Sequence, residues 1–183
     1  MSLLDIRRPL LPLDHRLLRD HVPEVNHRLR DISMIWRPLG QAALFLILPG
    51  EYLRVVSQKN AQLYKRNPAE LVNRINARIA SLPTEAAQCV ANVRKVDFRG
   101  SGRILDVACY LYPDGLEDEQ KRMRGMVDEA NGVNGYWGDE PFNPYISLAT
   151  IEAVHADNRV LDLFDGFVPD ELMLNKVKAS VAK

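Results

Sequence analysis

Tyr145 and Ser147 stand two residues apart in the run Phe142-Asn143-Pro144-Tyr145-Ile146-Ser147-Leu148-Ala149. That spacing can aim two hydroxyl groups at one ligand. On a strand, alternate side chains share a face, so Tyr145 and Ser147 line one side while Ile146 and Leu148 give the other side an apolar lining for a core. Two hydroxyls on one face can make paired hydrogen bonds to a polar ligand. They suit proton transfer poorly, because a phenol titrates near ~10 whereas the histidine that would serve in both directions titrates near ~6.5.

The histidines are placed elsewhere. His15, His21 and His27 recur every six residues near the start of the chain, and none occurs between His27 and His155. On one helix a six-residue step turns roughly 600°, which sets neighbouring histidines on opposite sides, and Pro23 interrupts the run. Surface or partly buried histidines are therefore expected; delivery of one of them to the Tyr145 strand is the alternative. His155 would lie roughly 30 Å beyond Tyr145 if the strand continued, so only a chain reversal could return it. Cys89 and Cys109 are the two cysteines, without Cys-x-x-Cys or His-x-x-x-His spacing. No metal, cofactor or disulfide is expected.

The elements that must hold these groups follow from periodicity. Leu71, Val72, Ile75, Ile79 and Leu82 recur at steps of three and four, between Pro68 at a first turn and Pro83 at an exit, and predict a helix over 68–82. Met123, Met126, Val127 and Ala130 predict a second helix over 116–130, with Gly132 as its stop. A further helix is expected within 52–67. Val93–Phe98 and Arg103–Leu111 read as strands joined by a turn at Gly100-Ser101-Gly102. Arg94, Lys95, Arg99 and Arg103 gather on this hairpin, either as a solvated edge or as the basic border of a phosphate site. Residues 131–143 read as a loop by Gly132, Gly135, Gly138 and Pro141; Trp137 within it either anchors the loop or stacks on a base. Residues 1–35 combine Leu10, Leu11, Leu13, Leu17 and Leu18 with many arginines, which predicts an N-terminal helical arm ahead of a domain at 36–183.

The strand around Tyr145 resembles the Pro-His-Ile-Thr-Leu strand of the two-histidine phosphoesterases, the LigT-like or 2′-5′ RNA ligase-like family, with Tyr145 at the histidine position and Ser147 at the hydroxyl position. The best match to the family's first such strand is Gln41-Ala42-Ala43-Leu44-Phe45-Leu46-Ile47-Leu48, with Gln41 at the histidine position. The resemblance runs over roughly residues 36 to 178 in element order and closes on Val168–Leu174. It implies an α+β, two-lobed LigT-like fold with antiparallel sheets around a central cleft and helices outside. Tyr145, Ser147, Gln41, Trp137 and Arg103 are then the candidates to line that cleft.

Composition sets the outer limits. The chain has 183 residues, 46% hydrophobic and 26% charged, enough for one globular domain. Its 24 basic and 24 acidic residues balance, which argues against a strong sequence-independent nucleic-acid binder. The longest apolar run, Ala42–Leu48, is too short for a bilayer, and no secretory leader pattern is present, so a cytoplasmic protein without a membrane partner is expected. Three functions fit. The first is a degenerate phosphoesterase-like protein that binds a nucleotide, RNA end or cyclic oligonucleotide without two-histidine catalysis. The second is an active phosphodiesterase for 2′,3′-cyclic or 2′,5′ linkages with a rearranged site. The third is a module that meets a protein partner through the N-terminal arm.

Overall fold

The computed structural model describes residues 3–11, 20, 24, 27–28, 52–58, 67–132, 141–166 and 168–182. Among them the chain runs β1 (Leu3–Pro9), β2 (Tyr52–Gln58), α1 (Pro68–Ile79), β3 (Cys89–Arg99), β4 (Ile104–Leu111), α2 (Leu116–Asn131), β5 (Tyr145–Glu152), α3 (Asn158–Asp165), β6 (Glu171–Leu174) and β7 (Lys178–Ala182). The strands form two antiparallel sheets in the orders β2-β1-β7 and β5-β4-β3-β6. The class is α+β, as expected.

The helices close where local chemistry closes them. Asn67 caps α1 by accepting from the Ala69 N–H at 2.9 Å, Pro68 fills the first turn, and Leu71, Ile75 and Ile79 form the buried stripe. Gly132 ends α2 at φ 73°, a left-handed conformation open to glycine, and donates its N–H to Asp128.

Among the described residues each sheet packs against its own core. Ile6, Val177 and Ala179 of the three-stranded side pack with Leu71, Ile75 and Ile79 of α1 and Met123, Met126 and Val127 of α2. Val107, Cys109 and Leu111 of β4 and Ile146 and Leu148 of β5 pack with Val160 and Phe164 of α3. Cys89 and Cys109 are free thiols, the second fully inside this core. Backbone bonds from Leu11 to Met173 and from Asn175 to Pro9, with a bridge between Leu10 and Leu174, tie the end of β1 to β6.

The start of the chain departs from the sequence reading. Leu3–Pro9 is not part of a helical arm but the middle strand of a sheet, paired to β2 on one side and β7 on the other. Helical conformation is present further on, at Asp20, Glu24, His27 and Arg28. Of the stretch 52–67, expected to include a helix, Tyr52–Gln58 is a strand, and 59–66 lie outside the described residues. The strand's aromatic and β-branched residues suit a pleated surface, and pairing to β1 decides the matter.

Ile6, Arg8 and Leu10 share the buried side of β1, and Arg8 is only 1% exposed. Its guanidinium has all five donors occupied. Nε and Nη2 donate to the Glu119 carboxylate of α2, while Nη1 and Nη2 also reach the carbonyls of Ala87, Asn175 and Thr84 at 2.8, 2.9 and 3.0 Å. Burial pulls this arginine's pKa down, but the hydrogen bonds and charge of Glu119 more than offset it, and the net direction is up. One arginine thus joins β1, α2, the 84–87 turn and the segment before β7.

Candidate functional site

The face of the four-stranded sheet turned away from its core carries a polar set built by strand alternation. On β3, Val96 and Phe98 pack against the core, which leaves Lys95, Asp97 and Arg99 on the other side. Across the ladders Arg99 opposes Asp106, Lys95 opposes Tyr110, Tyr110 opposes Tyr145, and Ala108 opposes Ser147. Directly paired residues share a face, so these groups form one surface.

Arg99 reaches diagonally over β4 and places its guanidinium 4.3 Å from the centre of the Tyr145 ring. This is close enough for a cation–π contact. One of its terminal nitrogens lies 3.8 Å from Asp106 Oδ2, and Ser147 Oγ lies 3.5 Å from Asp106 Oδ1. Asp106 is the shared anchor of the cation and the hydroxyl. Arg99 keeps 47% of its side chain exposed, so its outer donors face solvent.

Tyr110 continues the surface, with its ring centre 6.1 Å from that of Tyr145 and tilted by 49°. Arg94 lies 5.5 Å and Lys95 5.6 Å from the Tyr110 centre. Arg94 also donates to Asn143 Oδ1 at 3.1 Å. Lys95 donates to Asp97 at 2.6 Å, and this hydrogen bond is the main cause that holds the Asp97 carboxyl below its usual range.

Of the residues singled out from sequence, Tyr145 and Ser147 meet on this face. Arg103 does not join them. It sits at the far end of the β4–β5 ladder, 85% exposed, donating to Glu152 at 3.0 Å. The seven-residue ladder between Tyr145 and Glu152 separates the two by about 20 Å. Gln41 and Trp137 lie outside the described residues, as do His15 and His21. His27 is exposed, and His155 falls in a 3-10 turn, Ala153–His155, beyond the end of β5 opposite Tyr145. Arg99 was expected only as one member of a basic hairpin that could border a phosphate site, and Asp106 and Tyr110 were not singled out. Their signal was present in the alternation of Lys95, Asp97 and Arg99 with Val96 and Phe98, combined with a tight turn at Gly100–Gly102.

Among the described residues no cluster of three or more His, Cys, Asp or Glu side chains is placed to hold a metal ion. No helix among them is long and apolar enough to cross a membrane.

The fold is similar to that of Usb1 from Kluyveromyces marxianus, with a TM-score of 0.52 and 12% identity over 98% of this chain and 96% of that one. The structure of the same yeast protein with uridine monophosphate gives a TM-score of 0.52 and 13% identity over the same shares. At such identity the likeness is one of fold alone. The sequence matches no family model and no curated protein.

Proposed function

We propose that this Usb1-like chain binds a nucleotide, an RNA end or a cyclic oligonucleotide in a cleft between its two sheets, and does so without two-histidine catalysis. The observation that carries the reading is the placement of Arg99. A guanidinium held over Tyr145 and beside Asp106, with its outer donors in solvent, is a preformed phosphate anchor. The hydroxyls of Tyr145 and Ser147 stand on the same face as further phosphate contacts. The uridine monophosphate in the yeast Usb1 structure is a ligand of the same chemical class.

The make-up of the described surface favours binding over turnover. Among the described residues this surface carries no imidazole, the group on which two-histidine catalysis depends. His27 and His155 are the only histidines outside the 12–23 region, and neither has a place in the described surface.

Phosphorus NMR of the protein with uridine monophosphate, 2′,3′-cyclic nucleotides, 2′,5′-linked dinucleotides and cyclic dinucleotides tests the reading. Shifted or broadened resonances without new products are expected. New phosphomonoester resonances that vanish in Tyr145→Phe would establish a rearranged phosphodiesterase instead, and unchanged spectra across the panel would leave a protein-interaction role.

A further inference from the structure

The register of β3 against β4 shifts between Val93 and Lys95: Val93 opposes Leu111, and Lys95 already opposes Tyr110. Such a bulge leaves one residue unpaired and turns its side chain, here that of Arg94. In a regular strand Arg94 and Lys95 would point to opposite faces. Here both come within 5.6 Å of the Tyr110 centre. A bulge that breaks ladder pairing and brings two cations together does nothing for the core, since both residues are exposed.

The charge on this spot is only partly answered. Lys95 is bonded to Asp97, but Arg94 makes no ion pair among the described residues and rests on the neutral amide oxygen of Asn143. Tyr110 beneath is 8% exposed, so it holds the cations in place and does not itself offer a stacking surface. Asn143 lies two residues before Tyr145, which couples the edge of this cluster to the strand that carries the first site. The two aromatic rings, 6.1 Å apart, therefore each carry a guanidinium, Arg99 on one and Arg94 on the other.

We infer that Arg94 and Lys95, seated on Tyr110 and flanked by Asn143, form a second phosphate subsite, so that the surface prefers a ligand with two neighbouring phosphate groups to a mononucleotide. This rests on the phosphate site proposed at Arg99, Tyr145 and Ser147 and adds a selectivity to it. The first site anchors one phosphate, and the bulge anchors the next.

The test compares uridine monophosphate with a 5′-phosphorylated uridine dinucleotide, by calorimetry at several salt concentrations. The dinucleotide should bind at least roughly 10-fold more tightly, with a log–log salt slope steeper by about 0.7, the value for one further phosphate on a single strand. Arg94→Gln combined with Lys95→Gln should bring the dinucleotide down to the affinity of the mononucleotide and leave the mononucleotide unchanged. Arg94→Gln alone should give an intermediate loss. Equal affinity for the two ligands in the unaltered protein overturns the subsite while the first site stands. So does a double variant that weakens neither, or both alike. A protein that binds neither ligand overturns the first site, and the second with it.

Discussion

Arg8 of β1 and Glu119 of α2 meet at 2.5 Å with side chains 1% and 3% exposed, and the arginine's remaining donors all end on backbone carbonyls. A buried pair of this kind gives little net stability compared with a well-packed apolar pair, but the loss of one partner leaves the other charged, buried and unpaired. Glu119→Gln and Arg8→Met should each cost about 3–5 kcal/mol. The double change Arg8→Met with Glu119→Leu should recover most of that loss. Urea unfolding of the four proteins measures the cycle, and additive single losses would show that the pair is not coupled.

Two arginines on one hairpin should behave differently. Arg99, poised over Tyr145, should lose uridine monophosphate affinity by roughly 10-fold or more on change to Gln, the scale of a charged hydrogen bond. Arg103, solvent-exposed and paired to Glu152 at the other end of the ladder, should change affinity by no more than about twofold. Calorimetric titration of both variants at one salt concentration gives the comparison.

Burial pushes the Cys109 thiol up from 9.0 to about 12. The unfolded chain ionises this thiol near pH 9 while the folded chain keeps it protonated. Its contribution to stability is therefore fully present below pH 9 and is lost as pH rises from 9 to 12. With each unit near 1.36 kcal/mol, the protein should lose about 2 kcal/mol more than Cys109→Ala between pH 8 and pH 10.5. Unfolding curves at the two pH values test this. At pH 8 the native Cys109 should also resist alkylation that the unfolded chain undergoes.

Asn76 of α1 bonds the Ala179 backbone twice, donating to its carbonyl at 3.0 Å and accepting from its N–H at 2.8 Å. The side-chain amide stands in for a neighbouring strand at the edge of β7 that no other strand among the described residues pairs with. Asn76→Ala should destabilise by about 1–3 kcal/mol by leaving these two backbone groups without their partner. It should also favour self-association through the uncovered edge, which thermal unfolding and light scattering at rising concentration would reveal.

The two long helices were legible in the sequence because their apolar stripes recur without interruption, and the hairpin of β3 and β4 because its strands alternate around a glycine-rich turn. β1 was hidden by one residue. Ile6, Arg8 and Leu10 have the period of a half-buried strand, but an arginine at the middle position reads as surface until Glu119, 111 residues further on, supplies its partner. β2 was hidden by the register shift at Ile6 and Arg7, which interrupts alternation across the β1–β2 ladder. The candidate site was half legible for similar reasons. Tyr145 and Ser147 lie on one strand and show their spacing directly. Arg99 and Asp106 join them only through register, and Arg94 joins Lys95 only through a bulge that the sequence does not announce.

The pairing of Leu3 with Ala182 has a consequence for how the chain assembles during synthesis. β3, β4 and β5 are successive in sequence and can zip together as soon as they emerge. The middle strand of the other sheet is made before β3, β4 and β5, yet one of its two neighbours is β7, which follows all the other strands. Contacts at such separation close late and slow folding. Until β7 arrives, the apolar faces of α1 and α2 have only part of their cover. The half of the protein that carries Tyr145 therefore matures first, and the half that Arg8 holds together is the stage at which a nascent chain is most exposed to misassembly and to chaperones.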